Sequence, residues 1–383
     1  MRPLRVLTVL TYYDPHWTGL TAIAKRIAEG LVTRGHRVTV LTTQHLPGLP
    51  RRESIAGVDV VRVPSWGRVS RGVLAPTLSL AAGRLLGAHD IVHIHTPLPE
   101  APAVAALARL RRRPLLMTHQ GDLVMPEGAV NQTIQRVGRG LLGAAGRLAT
   151  VVVAHNADYA RESEFLRPFG RKLVAILPPV DLPVPDVEAA AHWRAELGLQ
   201  SKRLVGFAGR FVEEKGFDYL LHAIPALADA VPSAHLVYAG EHEIAYEDFY
   251  GRCRPLLERH ADRISFVGLI DDPQRLADFY ALCDVFALPS RTDMYAGVQV
   301  EAMLSGTPVV ATDIPGARVP VQRTGMGLLV APRDADALAR GLAAVLQEPE
   351  RYARPRADVR EALELDTAVD RYAELLWQLA RRP

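Results

Sequence analysis

Only two cysteines, Cys253 and Cys283, occur in the 383 residues. They are too few for a disulfide scaffold or a four-cysteine zinc site, and they suit a reducing cytoplasm. Long apolar runs are missing as well. The first, Val6–Leu10, ends at Tyr12, Tyr13 and Asp14, too soon for a signal-peptide core or a membrane helix. No window holds eighteen uninterrupted apolar residues. The expected location is the cytoplasm, free or peripheral on the cytoplasmic face of a membrane. A dinucleotide fingerprint is also lacking. The loop Tyr12–Gly19 has one glycine, and Gly206, Gly209 and Gly216 are wrongly spaced for Gly-x-Gly-x-x-Gly. Lysine is scarce, with four residues (Lys25, Lys172, Lys202 and Lys215) against 41 arginines.

Apolar residue types make up 49% of the chain, which excludes disorder. The net charge of +3 hides a split: residues 1–180 carry 23 basic and 11 acidic side chains, residues 181–383 carry 22 and 31. These charges are dispersed through apolar, periodic sequence rather than gathered in a tail, so no nucleic-acid partner is expected.

Apolar strands alternate with amphipathic helices twice over. In the first half, strands are predicted at Leu4–Thr11, Arg37–Thr42, Val58–Val63, Ile91–His95, Leu115–Thr118 and Val151–Ala154. Helices are predicted at Thr21–Arg34, with Ile23, Ile27, Ala28 and Leu31 on one face, and at Ala101–Leu110. Leu177–Pro185 holds four prolines and reads as an extended linker. The pattern then restarts, with strands at Leu204–Ala208, His235–Tyr238, Ile264–Phe266, Val285–Leu288, Val309–Ala311 and Leu328–Val330. A last helix, Thr367–Arg381, places Val369, Tyr372, Leu375, Leu376 and Leu379 on one side. Two α/β, doubly wound, Rossmann-like domains follow from this pattern: residues 1–180 completed by the helix 366–383, and residues 181–365. Ligands of such sheets sit outside the carboxyl ends of the strands, so the site is expected in post-strand loops facing a cleft between the domains.

The most specific stretch runs from Ala287 to Gly316: ALPSRTDMYAGVQVEAMLSGTPVVATDIPG. Two of its acids, Asp293 and Glu301, are separated by seven residues, and Glu301 opens the run Glu-Ala-Met-Leu-Ser-Gly-Thr-Pro-Val-Val. The stretch resembles the donor-site signature of the retaining GT-B glycosyltransferases of family 4, the glycosyl transferases group 1. That resemblance implies that Glu301 binds the ribose of a nucleotide sugar, that Asp293 contacts the transferred sugar, and that the amides of Tyr295, Ala296 and Gly297 lie against sugar hydroxyls. The plain reading of Glu301 is an acid stabilised near a helix N-terminus. Asp293 stands where the family usually has Glu, and Ala296 interrupts an aromatic-Gly pair. Both departures bear on the identity of the sugar.

A second match is AGRFVEEKG, Ala208–Gly216. In the resembling family the residues at Gly209, Arg210 and Lys215 lie against the nucleotide diphosphate. Two fixed cations suit that chemistry, because breaking the anomeric C–O bond puts charge on the departing diphosphate. The plain reading of Lys215 is a solvated turn. In the first half, Gly19 matches a glycine whose amide lies against donor phosphate or sugar, although Thr18 beside it suits an N-cap. His119 follows a strand where the family places a cleft histidine; otherwise it is a surface-loop residue. His93 and His95 share a strand face and, with His119, have zinc-like spacing, but no cysteine or Asp-x-Asp cluster completes a site and no metal is expected.

The resemblance covers nearly the whole chain. It implies a GT-B fold, with an N-terminal acceptor domain, a C-terminal donor domain and a last helix crossing back to the first. It also implies a retaining, metal-independent hexosyltransferase that moves a sugar from a nucleotide diphosphate sugar to a hydroxyl on a glycan, lipid or small molecule. No cofactor is expected. A lipid-linked or phosphorylated acceptor and an anionic membrane surface are candidate partners of the basic half. Acceptor choice is assigned to the loops Gln44–Glu53, Ser65–Arg71 and Leu123–Val130. Alternatives are a sugar-nucleotide epimerase on the same fold and a non-catalytic nucleotide- or carbohydrate-binding protein.

Overall fold

The computed structural model describes residues 2–16, 18–69, 72–122, 129–244 and 246–381. The chain divides into two units, Met1–Pro179 with Asp366–Pro383, and Val180–Leu365. The outward crossing falls between Pro179 and Val180, inside the proline-rich segment.

The first unit contains β1 (Arg5–Val9), β2 (Arg37–Gln44), β3 (Arg52–Ile55), β4 (Val58–Pro64), β5 (Gly67–Val69), β6 (Gly72–Leu74), β7 (Ile91–Thr96), β8 (Leu115–His119), β9 (Val151–Ala154) and β10 (Leu173–Ala175). Eight of these form one sheet in the order β10-β9-β8-β7-β1-β2-β4-β3, and β5 and β6 pair as a separate hairpin. Pairing in the large sheet is parallel except for β3 against β4. The helix Gly19–Thr33 buries Ile23, Ile27, Ala28 and Leu31, the face expected from their spacing. The C-terminal helix Ala368–Ala380 joins the same core through Val369, Tyr372, Ala373, Leu376 and Leu379. Gly30 lets the two helices meet, since a Cβ there would lie 2.8 Å from Val369.

The second unit contains β11 (Arg203–Ala208), β12 (Ala234–Ala239), β13 (Ile264–Gly268), β14 (Val285–Leu288), β15 (Val309–Thr312) and β16 (Gly327–Val330). They form one parallel sheet in the order β13-β12-β11-β14-β15-β16. The order reverses direction at β11, and the loops that follow β11 and β14 leave the sheet side by side. Those loops are AGRFVEEKG and PSRTDMYAG.

Two of the three expected acceptor loops have more structure than the sequence indicated. Arg52 and Glu53 belong to β3, and Ser65–Arg71 includes β5. Residues 70 and 71, and residues 123–128 of the third loop, lie outside the described residues.

Candidate functional site

Two glycines allow the loops of the second unit to meet. Lys215 ends a single 3-10 turn, Glu213–Lys215, and Gly216 follows at φ +68°. A Cβ at Gly216 would lie 2.0 Å from the Pro289 carbonyl oxygen, so no side chain fits there. On the far side, Gly316 (φ +86°) lies against the Met294 carbonyl, where a Cβ would approach to 2.1 Å, and it bridges Asp293. The Asp293 loop is held from both directions.

This packing places the Lys215 ammonium 2.6 Å from Asp293 Oδ2. Burial opposes the charge on Lys215, but Asp293 and Glu214 outweigh it and hold the amine above its ordinary pKa. Lys215 is therefore held as a cation, paired directly with Asp293 and with Glu214 nearby. Arg210 donates to the Tyr246 hydroxyl and lies 3.5 Å from the Glu214 carboxylate. Its side chain is 40% exposed, so it is accessible to an incoming anion. Gly209 precedes it in the left-handed half of φ space, at +146°.

Glu301 is the fifth residue of the helix Gly297–Leu304, just past its first turn, and is buried. Its Oε2 accepts from the Tyr280 hydroxyl at 3.0 Å. A carboxylate has about four acceptor positions, so this bond occupies one and fixes the orientation of the group. The helix begins after Ala296, which makes no side-chain cap bond. Its opening amides, beginning with Gly297, carry the partial positive charge of a helix N-terminus. The Tyr295 side chain is buried, and its hydroxyl has no hydrogen-bond partner. Among the residues expected to bind substrate, Tyr295 can therefore act only through its backbone.

Several neighbours were not anticipated. Tyr280 orients Glu301, Tyr246 holds Arg210, and Arg291 spans the two loops. Gln299 is fully buried with both ends of its amide unpartnered, and the Ser290 hydroxyl is in the same condition. Gln299 carried a signal that could have been read: a lone amide flanked by Val298 and Val300 in a helix whose other polar side chain is Glu301.

The first unit holds Gly19 and His119. Thr18 is an N-cap, exchanging bonds with Thr21 at 2.8 and 3.3 Å, and Gly19 opens the helix. A Cβ at Gly19 would meet nothing within 4 Å, so the glycine leaves open space above the helix end. His119 is not a surface-loop residue. It ends β8, is 1% exposed and stacks on Phe165 with centroids 4.4 Å apart. Nδ1 meets Thr96 Oγ1 at 3.1 Å and Nε2 meets Asp122 Oδ1 at 3.0 Å. Burial would raise the Asp122 carboxyl, but hydrogen bonds from His119, Tyr159 and Ser163 outweigh it and leave the group below its usual value.

Behind His119 are three more buried imidazoles. His93 Nε2 meets Thr118 Oγ1 at 2.8 Å, His95 Nδ1 accepts from Gln120 at 2.6 Å, and neither ring nitrogen of His155 has a hydrogen-bond partner. Burial lowers His93 and His155 to about 3 and His95 well below its ordinary value, so all three are neutral. Among the described residues no group of three or more His, Cys, Asp or Glu is placed to hold a metal ion.

Comparison with known proteins fits both units. Residues 202–348 match the model described as glycosyl transferases group 1, and residues 18–179 match the glycosyl transferase 4-like domain. A GDP-mannose-dependent alpha-(1-6)-phosphatidylinositol monomannoside mannosyltransferase of Mycobacterium tuberculosis is 31% identical over 375 residues, covering 93% of each chain. The chain belongs to the family 4, group 1 glycosyltransferases. This glycosyltransferase is also 30% identical to a D-inositol 3-phosphate glycosyltransferase of Nocardia farcinica, over 88% of its own length and 78% of the relative's. Its fold is GT-B. A sucrose-phosphate synthase from Thermosynechococcus elongatus superposes with a TM-score of 0.78 at 21% identity, covering 98% of this chain and 99% of the other. HepE of Anabaena, in complex with UDP, gives 0.74 at 22%, covering 98% and 100%.

Proposed function

We propose that this glycosyltransferase moves a sugar from a nucleotide diphosphate sugar to a hydroxyl acceptor, retaining the anomeric configuration and without a metal. The observation that carries the reading is the Lys215–Asp293 pair at 2.6 Å, with Arg210 next to it. Breaking the bond between the anomeric carbon and the diphosphate oxygen leaves negative charge on the diphosphate. Lys215 and Arg210 are two fixed cations suited to receive it, as a metal would. Asp293 is then released towards the sugar hydroxyls, and Glu301, oriented by Tyr280, accepts from the ribose. The acceptor oxygen attacks from the leaving-group side and gives its proton to a diphosphate oxygen. The protein positions and neutralises charge and forms no covalent bond.

Two relatives carry names that specify GDP-mannose or an inositol phosphate acceptor. Those names, and the excess of 23 basic over 11 acidic side chains in residues 1–180, support a GDP-sugar donor, an acceptor that bears phosphate, and contact with an anionic lipid surface.

Lys215→Ala and Glu301→Ala test the assignment. Each is expected to lower kcat/KM for both transfer and donor hydrolysis by about 100-fold or more, Lys215→Ala through kcat and Glu301→Ala mainly through donor KM, while the melting temperature stays within a few degrees. A panel of GDP-, UDP-, ADP- and TDP-sugars identifies the donor. Near-normal turnover in both variants would remove the donor site. An isomerised donor in the absence of acceptor would establish an epimerase instead, and activity lost to chelator and restored by metal would overturn the metal-free step.

A further inference from the structure

The turn Glu213–Gly216 and the segment Pro289–Asp293 touch at four close points, beside a looser ion pair at 4.0 Å between Arg291 and the Glu213 carboxylate. Gly216 lies against the Pro289 carbonyl, and Lys215 pairs with Asp293. The other two contacts come from one residue. The Arg291 backbone N–H donates to the Glu214 carbonyl at 2.8 Å, and its guanidinium donates to the Glu213 carbonyl. The same guanidinium makes a two-pronged contact with Asp218, at 2.9 and 2.6 Å, in the first turn of the helix Phe217–Ala230. It lies over the Tyr219 ring, 4.5 Å from the centroid.

Arg291 is two residues from Asp293, and the carbonyls it holds belong to the two residues before Lys215. It is 17% exposed, against 40% for Arg210, and its guanidinium is committed to Glu213 and Asp218. It is therefore poorly placed to meet a donor itself. A planar guanidinium can grip a carboxylate with two prongs and a carbonyl at once, which a lysine ammonium does not reproduce.

We propose that Arg291 is a positioning residue for sugar transfer: it clamps the turn that carries Lys215 to the loop that carries Asp293, and so sets where cation and carboxylate stand when donor arrives. The inference rests on the donor-site reading above. Displacement of a catalytic group by about 1 Å costs up to roughly 100-fold in rate, while Glu301, held separately by Tyr280, continues to bind the nucleotide.

The test is a double-mutant cycle with GDP-mannose, or the fastest donor in the panel, reading kcat and donor KM. Arg291→Met is expected to lower kcat by about 10- to 100-fold with donor KM changed less than about threefold. In an Asp293→Asn background the same change is expected to cost less than about threefold, because the paired geometry is already lost. Arg291→Lys keeps a cation near Asp218 without the carbonyl grip, and it should fall between the two. It carries the same cycle if the Met variant does not fold. An equal loss in both backgrounds would mark Arg291 as a general stabiliser and overturn the proposal, as would full activity of Arg291→Met. Wild-type turnover of Asp293→Asn would instead remove the donor-site reading.

Discussion

At the scale of single residues, acids and bases were easier to read than the groups that hold them. Asp293, Glu301, Arg210 and Lys215 stood out because they fall on the motif positions that carry the family resemblance. Tyr280 did not, because an aromatic on a buried helix face looks like core, and its hydroxyl matters only through a contact 21 residues along the chain. Arg291 was hidden among so many arginines. Tyr280 gives a clean test. Tyr280→Phe removes one oxygen from a buried site and leaves the ring packing intact. The Glu301 carboxylate then loses a hydrogen bond to a charged group, worth about 1.5–3 kcal/mol, or roughly tenfold or more. Donor KM is expected to rise by about that factor with kcat nearly unchanged, because a ribose contact is made equally in ground and transition states. A fall in kcat at constant KM would show that Tyr280 acts on the chemistry instead.

At the scale of elements, the central strands were legible because parallel strands covered on both faces are continuous apolar runs. What escaped was short, polar or interrupted. β3 reads Arg-Glu-Ser-Ile and pairs at the sheet edge, where polar residues face water. The helix Ala129–Leu148 contains four glycines and did not announce itself. Gly146 has a packing reason, since a Cβ there would lie 2.5 Å from the Phe169 ring. The ends of β7, β8 and β9 carry a testable consequence of a different kind. His93 and His155 have folded values near 3 against 6.5 unfolded. A lowered histidine pKa means that the unfolded chain binds the proton first. Their contribution is complete above about pH 6.5 and is lost as pH falls towards 3, at up to about 1.4 kcal/mol per pH unit for each residue. Asp122, also lowered, adds its loss only below about pH 4. Melting temperature should fall steeply between pH 6.5 and 4.5, and His155→Leu should flatten that slope. An unchanged slope in the variant would mean that His155 is protonated in the fold.

At the scale of the whole molecule, one chain builds a basic unit, leaves it to build an acidic one, and returns to finish the first. The return is structural, because Tyr372, Leu376 and Leu379 complete a core begun by Ile27 and Leu31. The surface charge is a separate matter. The helix Ala129–Leu148 has three arginines and no acid, and it exposes Val137 (58%) and Leu141 (42%) one turn apart. Apolar residues beside arginines suit an anionic lipid surface, where each cation near the interface is worth about 1 kcal/mol. No helix among the described residues is long and apolar enough to cross a membrane. Liposome flotation decides the matter. Binding should be strong on vesicles containing phosphatidylinositol and weak on neutral phosphatidylcholine, and it should decline as salt screens the charge. Arg136→Glu should reduce it by roughly fivefold or more, from about 1 kcal/mol for the lost cation and a further penalty for the new carboxylate. Leu141→Asp should act in the same direction through both apolar area and charge. Donor hydrolysis in solution should be untouched in both variants, because neither side chain is among the residues assigned to the donor. Equal flotation on both vesicle types would leave the charge asymmetry to the recognition of a soluble phosphorylated acceptor.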